Sequence, residues 1–311
     1  MWAFAQPELR VAEVFTQMPR EFRRTGVRSE WANANRGGQE TDSFLEGPVF
    51  DAAGNLYVTD IPFGRIFCID PAGAWSQIAE YAGEPNGMKF LSERELLIAD
   101  YRNGLMACDV ASGVVRPFLE RRNSERFKGI NDLVFDKAGN LYFTDQGQTG
   151  LHDPTGRLYR LRPNGQLDLL LGNVPSPNGV ALSPDERVLY LAVTRGNAVW
   201  RVPLLDDGSV SKVSTFFTSN GPSGPDGLAV DTKGRVIVAN PGLGCAWILD
   251  HQAQPDVVVR SPLGASLTNV AFGGPDRQTL YCTESVSGSI LRIELDTPGL
   301  PLSRPTLRLF Y

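Results

Sequence analysis

Six positions in this chain carry side-chain oxygens suited to a hard metal cation, and they recur at nearly even spacing. They are Glu46, Asn86, Asn131, Asn178, Asp226 and Asn269, separated by 40, 45, 47, 48 and 43 residues. Each opens a short polar step into an apolar strand: Glu46-Gly47, Asn86-Gly87, Asn131-Asp132, Asn178-Gly179, Asp226-Gly227 and Asn269-Val270. Four are asparagines, two are acids, and none is basic or apolar. Carboxylates and amide carbonyls are the ligands that Ca²⁺, Mg²⁺ or Mn²⁺ prefer. Two carboxylates in one confined place repel, unless a cation or a raised pKa relieves them. Any single Asn-Gly or Asp-Gly reads as a turn. Six at one structural position are hard to assign to turns alone.

The elements that must position them are also repeated. After Glu46 runs GPVFDAAGNLYVTD, after Asn131 DLVFDKAGNLYFTD, and after Asp226 GLAVDTKGRVIVAN. Asn178 leads GVALSPDERVLYLAV, Asn86 leads GMKFLSERELLIAD, and Asn269 leads VAFGGPDRQTLYCTE. Each unit is a short strand, a tight polar turn and a second apolar strand. Third strands follow as RIFCID, GLMACDV, RLYRLR, AVWRVPL, CAWILD and SILRIEL. Weaker fourth strands read as SQIAEY, VVRPFL, LDLLLG and VSTFFT. Such strands at this period predict propeller blades. The expected fold is all-β, a six-bladed β-propeller occupying residues 1–311 as one domain. The first strand of every blade then lines the central channel. The openings converge on one rim, as a metal site at the channel mouth.

A ring must join its last blade to its first. LRVAEVF, residues 9–15, alternates well enough to be the closing outer strand of the last blade. Residues 16–44 then form a connecting loop or lid, since loops this long usually cover a site. Phe22, Trp31 and the polar run NANRGGQETDS suggest a lid that packs at one point.

Composition narrows the partners. Net charge is −5 and no long basic run occurs, which argues against nucleic acid. No apolar run reaches the length of a membrane span, and MWAFAQPELR lacks the pattern of a secretory leader. Cys68, Cys108, Cys245 and Cys282 fall in predicted strands without a close Cys or His partner. They read as buried thiols in a reducing compartment, and the expected location is cytoplasmic.

The motifs EGPVFD, GINDLVFD, PSPNGVALSPD and GPDGLAVD, in this order within residues 40–295, resemble the SMP-30/gluconolactonase family of regucalcin-like and Drp35-like lactonases. The resemblance implies hydrolysis of a small-molecule lactone at a divalent cation, Ca²⁺ first, with Mg²⁺, Mn²⁺ or Zn²⁺ as alternatives. It implies Glu46, Asn178 and Asp226 as metal ligands, Asn131 beside the metal as ligand or substrate contact, and Asp226 as general base or proton donor. Animal members carry an arginine two residues before the ND asparagine. This chain has Gly129 there, preceded by Lys128, which becomes a substrate-binding candidate. The second blade departs too, because FLSERELLIAD lacks the Asp-x-x-Gly turn.

The chemistry follows from a cation that polarises the lactone carbonyl, with Asp226 passing a proton from water to the ring oxygen. There is no Gly-x-Ser-x-Gly elbow, and two histidines leave little room for a serine triad. His251 reads as an idle surface residue. His152, Gln146 and Gln148 lie in the longest gap between second and third strands, on the rim of the openings, and are candidates to reach substrate. In the matching gap of the second blade stand Tyr101 and Arg102, the latter able to hold a substrate carboxylate with two hydrogen bonds. Three other readings share the architecture: a non-catalytic interaction propeller of NHL type, a strictosidine-synthase-like enzyme, and a metal-dependent phosphotriesterase. A scaffold has no need of a Glu, an Asp and Asn178 at one mouth, and a metal-free synthase is not expected to keep the three together.

Overall fold

The computed structural model describes residues 6–303. Residues 1–5, part of the segment read for a leader, lie outside the described residues. Six sheets form a six-bladed β-propeller. Their innermost strands are Leu45–Phe50, Pro85–Phe90, Ile130–Phe135, Pro177–Leu182, Leu228–Val230 and Leu267–Gly273. Neighbouring inner strands touch in turn, and the sixth touches the first. From the inner strand outward the four turn-connected strands of blade one are antiparallel, as short polar turns require.

The apolar core is divided into wedges between blades. Leu97, Ala99 and Leu105 of blade two pack on Ile130, Leu133 and Phe143 of blade three. Ile237, Ala246 and Ile248 of blade five pack on Val270, Leu280 and Leu291 of blade six. Both faces of each sheet are therefore buried, which explains second strands that are apolar on every residue, such as Val188–Val193. Cys68, Cys108, Cys245 and Cys282 all lie in strands and none is disulfide-bonded.

Ring closure differs from the single strand 9–15 expected from alternation. Glu8–Val11 runs parallel to Pro255–Arg260 as a fifth strand of blade five. Glu13–Gln17 then pairs antiparallel with Ser289–Glu294 and completes blade six. The break falls at Ala12, which is buried and donates its N–H to the Arg260 carbonyl at 3.0 Å. At this break the chain leaves the sheet of blade five and enters that of blade six. Thr16 and Gln17 therefore belong to the closing strand rather than to the connection.

The connection that follows packs at two points, not one. Phe22 meets Phe67 edge-on at 5.1 Å. Trp31, in the short helix Glu30–Asn35, packs on Phe44 at 4.7 Å and is buried with Ala32 and Ile61. Ser29 caps that helix by accepting from the Ala32 N–H, and its hydroxyl donates to the Pro62 carbonyl.

A repeated clamp fixes the rim. The residue closing each second strand bonds the backbone shortly before each opening. Asp60 accepts from Phe44 N at 2.7 Å, Asp100 from Glu84 N at 3.0 Å, Asp145 from Gly129 N at 2.8 Å and Glu284 from Ser266 N at 2.9 Å. Asn240 donates instead to the carbonyls of Ser223 and Gly224, and Thr194 N donates to the Ser176 carbonyl. Hydroxyls bridge onward to the next blade: Thr59 to the Asn86 carbonyl at 3.1 Å, Thr144 to that of Asn178 at 2.8 Å, Ser285 to that of Leu45 at 2.6 Å.

In blade one the clamp is also an ion pair. Arg65 Nε donates to Asp60 Oδ2 at 2.9 Å, and Arg65 Nη1 donates to the Phe22 carbonyl at 2.6 Å, with both side chains buried. Burial pushes the Asp60 carboxyl up and the Arg65 charge opposes that push. Removing the guanidinium alone strands a buried acid, so Arg65→Met is expected to cost about 3–5 kcal/mol, read as a lowered urea midpoint. An unchanged midpoint would show that the pair is not holding the blade.

Candidate active site at the channel mouth

The opening residues do not precede the inner strands, as the sequence pattern suggested. Five of the six lie within them, at or beside a β-bulge. Register shifts fall between Glu46 and Val49, Pro85 and Met88, Ile130 and Leu133, Pro177 and Val180, and Leu267 and Asn269. A bulge puts two consecutive residues opposite one and so re-aims a side chain out of the pleat. Asp226 stands two residues before its strand, held by N–H donation to the Ala239 carbonyl at 2.9 Å. The glycines after the openings serve packing rather than a turn. Gly47 has φ +55, and a Cβ there would lie 2.1 Å from the Asn86 carbonyl oxygen. A Cβ on Gly227 would lie 2.0 Å from Asn269 Oδ1.

The result is a polar cavity of about 270 Å³ over the axis, lined by Glu46, Asn86, Asn131, Asn178 and Asp226 from five blades. Asn269, the sixth, backs it by donating Nδ2 to Glu46 Oε2 at 2.7 Å, where Gly47 N also donates. Asn131 Nδ2 donates to Gln146 Oε1 at 3.0 Å, and Gln146 Nε2 donates to Ser176 Oγ at 3.0 Å. With its nitrogen so engaged, the Asn131 amide keeps its oxygen for the cavity. The Asn178 amide beside the Asp226 carboxyl acts to lower its pKa.

Charge is concentrated here. Burial pushes the Glu46 carboxyl up to about 7, against the hydrogen bonds from Asn269 and Gly47. Burial pushes Asp226 up well beyond the carboxylate range, and the nearby Glu46 and Asp132 charges add to it. Asp132 is buried beneath, accepting from Leu133 N at 2.8 Å and Val180 N at 3.2 Å, so it ties blade three to blade four. Burial raises it also, while Lys89 opposes. Two carboxylates with two amides form a hard-oxygen donor set, and that set fits a divalent cation such as Ca²⁺, Mg²⁺ or Mn²⁺.

Of the predicted substrate contacts, Gln146 and Asn131 line the cavity, whereas Lys128, His152 and Arg102 do not. Lys128 is turned to Thr155 and Asp153, at 2.5 and 4.0 Å. His152 sits at the exposed tip of a tight turn closed by paired backbone bonds between Gly150 and Asp153. Arg102 is exposed and faces Glu30 of the connecting helix at 4.0 Å. His251 is exposed in a turn. Gln148 reaches the connection rather than the floor, donating to Asn35 Oδ1 at 3.1 Å and Tyr101 Oη at 2.9 Å. The Tyr101 ring lies where a Cβ on Gly129 would stand, within 2.7 Å. No larger side chain fits at Gly129 unless Tyr101 moves.

Trp31, Asn35 and Arg36 line the cavity from the segment read as a lid, though none was singled out as a substrate contact, and Thr194 and Arg195, from the turn after the second strand of blade four, escaped the sequence reading. Arg195 occupies the same gap between second and third strands as Arg102 does in blade two, so that signal was available. Nothing in the polar run around Arg36 marked it out.

Residues 44–286 match the family described as the SMP-30/Gluconolactonase/LRE-like region. A match of this extent places the chain in that family. The chain is 29% identical over 261 residues to Lactonase drp35 of Staphylococcus haemolyticus, covering 78% of each. It is 29% identical over 225 residues to Lactonase drp35 of Staphylococcus aureus, covering 68% of each. Its fold matches that of regucalcin from Agrobacterium tumefaciens, described as a calcium-binding protein, with a TM-score of 0.75 at 24% identity over 96% of this chain and 100% of that one.

Gly227→Ala forces a methyl onto Asn269 and so onto the support of Glu46. A loss of about 1–3 kcal/mol is expected for such overpacking, measured by thermal melting. Wild-type stability would mean that the contact yields without cost.

Proposed function

We propose that this chain hydrolyses a lactone at a divalent cation held by Glu46, Asn178 and Asp226, with Asn131 beside them. One observation carries the reading: two buried carboxylates from blades one and five meet amides from blades three and four in one cavity, within a family whose matched relatives are named lactonases. When bound, the cation supplies a Lewis acid for the lactone carbonyl and offsets the two carboxylates. Asp226 does the proton work. Its carboxylate takes a proton from the water that adds to the carbonyl carbon, and returns it to the ring oxygen as the C–O bond breaks. The product is the open hydroxy acid. Asn269 and Gly47 hold Glu46, and the Asn131–Gln146–Ser176 chain holds the substrate-facing amide, so the floor is set before substrate arrives. Ca²⁺ is the first choice on the oxygen donor set.

The test is a lactone panel followed by pH indicator, using chelated protein with Ca²⁺, Mg²⁺, Mn²⁺ or Zn²⁺ restored singly. Chelation is expected to abolish turnover and one cation to restore it. Asp226→Asn is expected to lower kcat by about 10²–10⁴-fold while keeping the wild-type melting profile. A folded, cation-loaded Asp226→Asn protein with wild-type rates would remove the acid–base role. Tight cation binding with turnover of phosphotriesters alone would move the substrate class.

A further inference from the structure

The floor of the cavity is acidic, yet two of its walls carry guanidinium groups that form no salt bridge among the described residues. Arg36 follows the helix Glu30–Asn35 as its C-cap, and lines the cavity from the connection. Its Nη2 donates to Gln39 Oε1 at 3.2 Å, its Cζ lies 5.5 Å from the centre of the Phe44 ring, and its Nε is buried with no hydrogen-bond partner. A buried N–H left unpaired costs free energy, so the Arg36 head group is not fully satisfied as it stands. Arg195 lines the cavity from the short turn Thr194–Gly196. Among the described residues it has neither a hydrogen bond nor an ion pair; its charge is felt at the Asp226 carboxyl. Both backbones are fixed. Thr194 Oγ1 donates to the Pro225 carbonyl at 2.7 Å, and the helix before Arg36 is held by Trp31 on Phe44 and by Gln148 on Asn35.

Resting on the lactonase reading, we infer that the substrate is an anionic lactone, a small ring bearing a carboxylate that Arg36 and Arg195 hold while its ring carbonyl meets the acidic floor. Guanidinium forks match a carboxylate with paired hydrogen bonds, the role first considered for Arg102, which lies outside the cavity. Size agrees. A cavity of about 270 Å³ falls just below the roughly 300–1,000 Å³ of ordinary ligand sites, and suits one ring with a short substituent. A phosphate ester on a similar ring shares the anionic chemistry but is bulkier. A neutral lactone would offer neither guanidinium a charged partner.

The experiment compares γ-butyrolactone-γ-carboxylate with its methyl ester and with a phosphorylated lactone, on wild-type protein, Arg36→Gln, Arg195→Gln, Arg195→Lys and Arg102→Gln. Wild type is expected to favour the carboxylate over the ester in kcat/KM by at least about tenfold, the weight of one charge-assisted hydrogen bond. That ratio is expected to fall towards one in Arg36→Gln and Arg195→Gln, to be partly kept in Arg195→Lys, and to stay at the wild-type value in Arg102→Gln. Equal use of acid and ester by wild type, or a preference for the phosphorylated ring, overturns the inference while the lactonase reading stands. If Arg195→Gln lowers both substrates alike, Arg195 only compensates Asp226, and the inference fails. Calorimetry with the lactam pyroglutamate and its amide separates the two readings when no lactone turns over. Pyroglutamate binding that weakens about tenfold in both glutamine variants supports the anion site without lactonase activity. No preference for pyroglutamate over its amide overturns the inference.

Discussion

The structure depends on a polar group at the end of each second strand, a side chain in five blades, gripping the backbone that leads into the first. Asp60, Asp100, Asp145 and Glu284 accept an N–H there, Asn240 donates to carbonyls, and in blade four the Thr194 amide serves. These groups are buried, so an unmade bond would be expensive, and that expense is what fixes the geometry. A blade so clamped can present its opening residue in only one place. Hydroxyls from Thr59, Thr144 and Ser285 then register that place against the next blade. The rim is thus a ring of hydrogen bonds in series, and the cavity is a by-product of satisfying them.

That dependence explains what the amino-acid order could reveal. The strand–turn–strand rhythm is periodic because each blade solves the same burial problem, so the number of blades and the residues near the axis were readable. The bulges were not. A bulge leaves no composition signature beyond a glycine, and Asn-Gly looks the same whether it turns a chain or makes room for a neighbouring carbonyl, as Gly179 does. Closure was half readable. Alternation in LRVAEVF marked a strand, but only the packing of Ala12 shows that two sheets share it. Side chains on loops were least legible. His152 and Lys128 lie on the correct rim, yet the Gly150–Asp153 turn and the Thr155 hydroxyl take them away from the cavity.

The site also divides its labour between rigid and attached parts. Its floor comes from inner strands locked on both sides, where precision is easiest to hold. Its walls come from a connection pinned by two aromatic contacts and from short turns between strands. Walls attached in this way can differ without moving the strands that carry the floor. Gly129 illustrates this, because the space above it belongs to a tyrosine from the neighbouring blade.

Closure of blade six by Glu13–Gln17 has a consequence in time rather than in space. The strand Glu13–Gln17 finds its partner, Ser289–Glu294, only after the intervening blades have been made, and Gln17 bonds Ser289 across 272 residues. The same seam carries the bond from Asn269 to Glu46, across 223 residues. Loop closure over such separations is entropically slow, and contacts of this order set the pace of folding in β-rich chains. Five blades can stack from local pairings while the channel remains an open arc with two bare sheet edges. Asn269 of blade six reaches Glu46 only when the ring shuts, so the support of that carboxylate waits for closure.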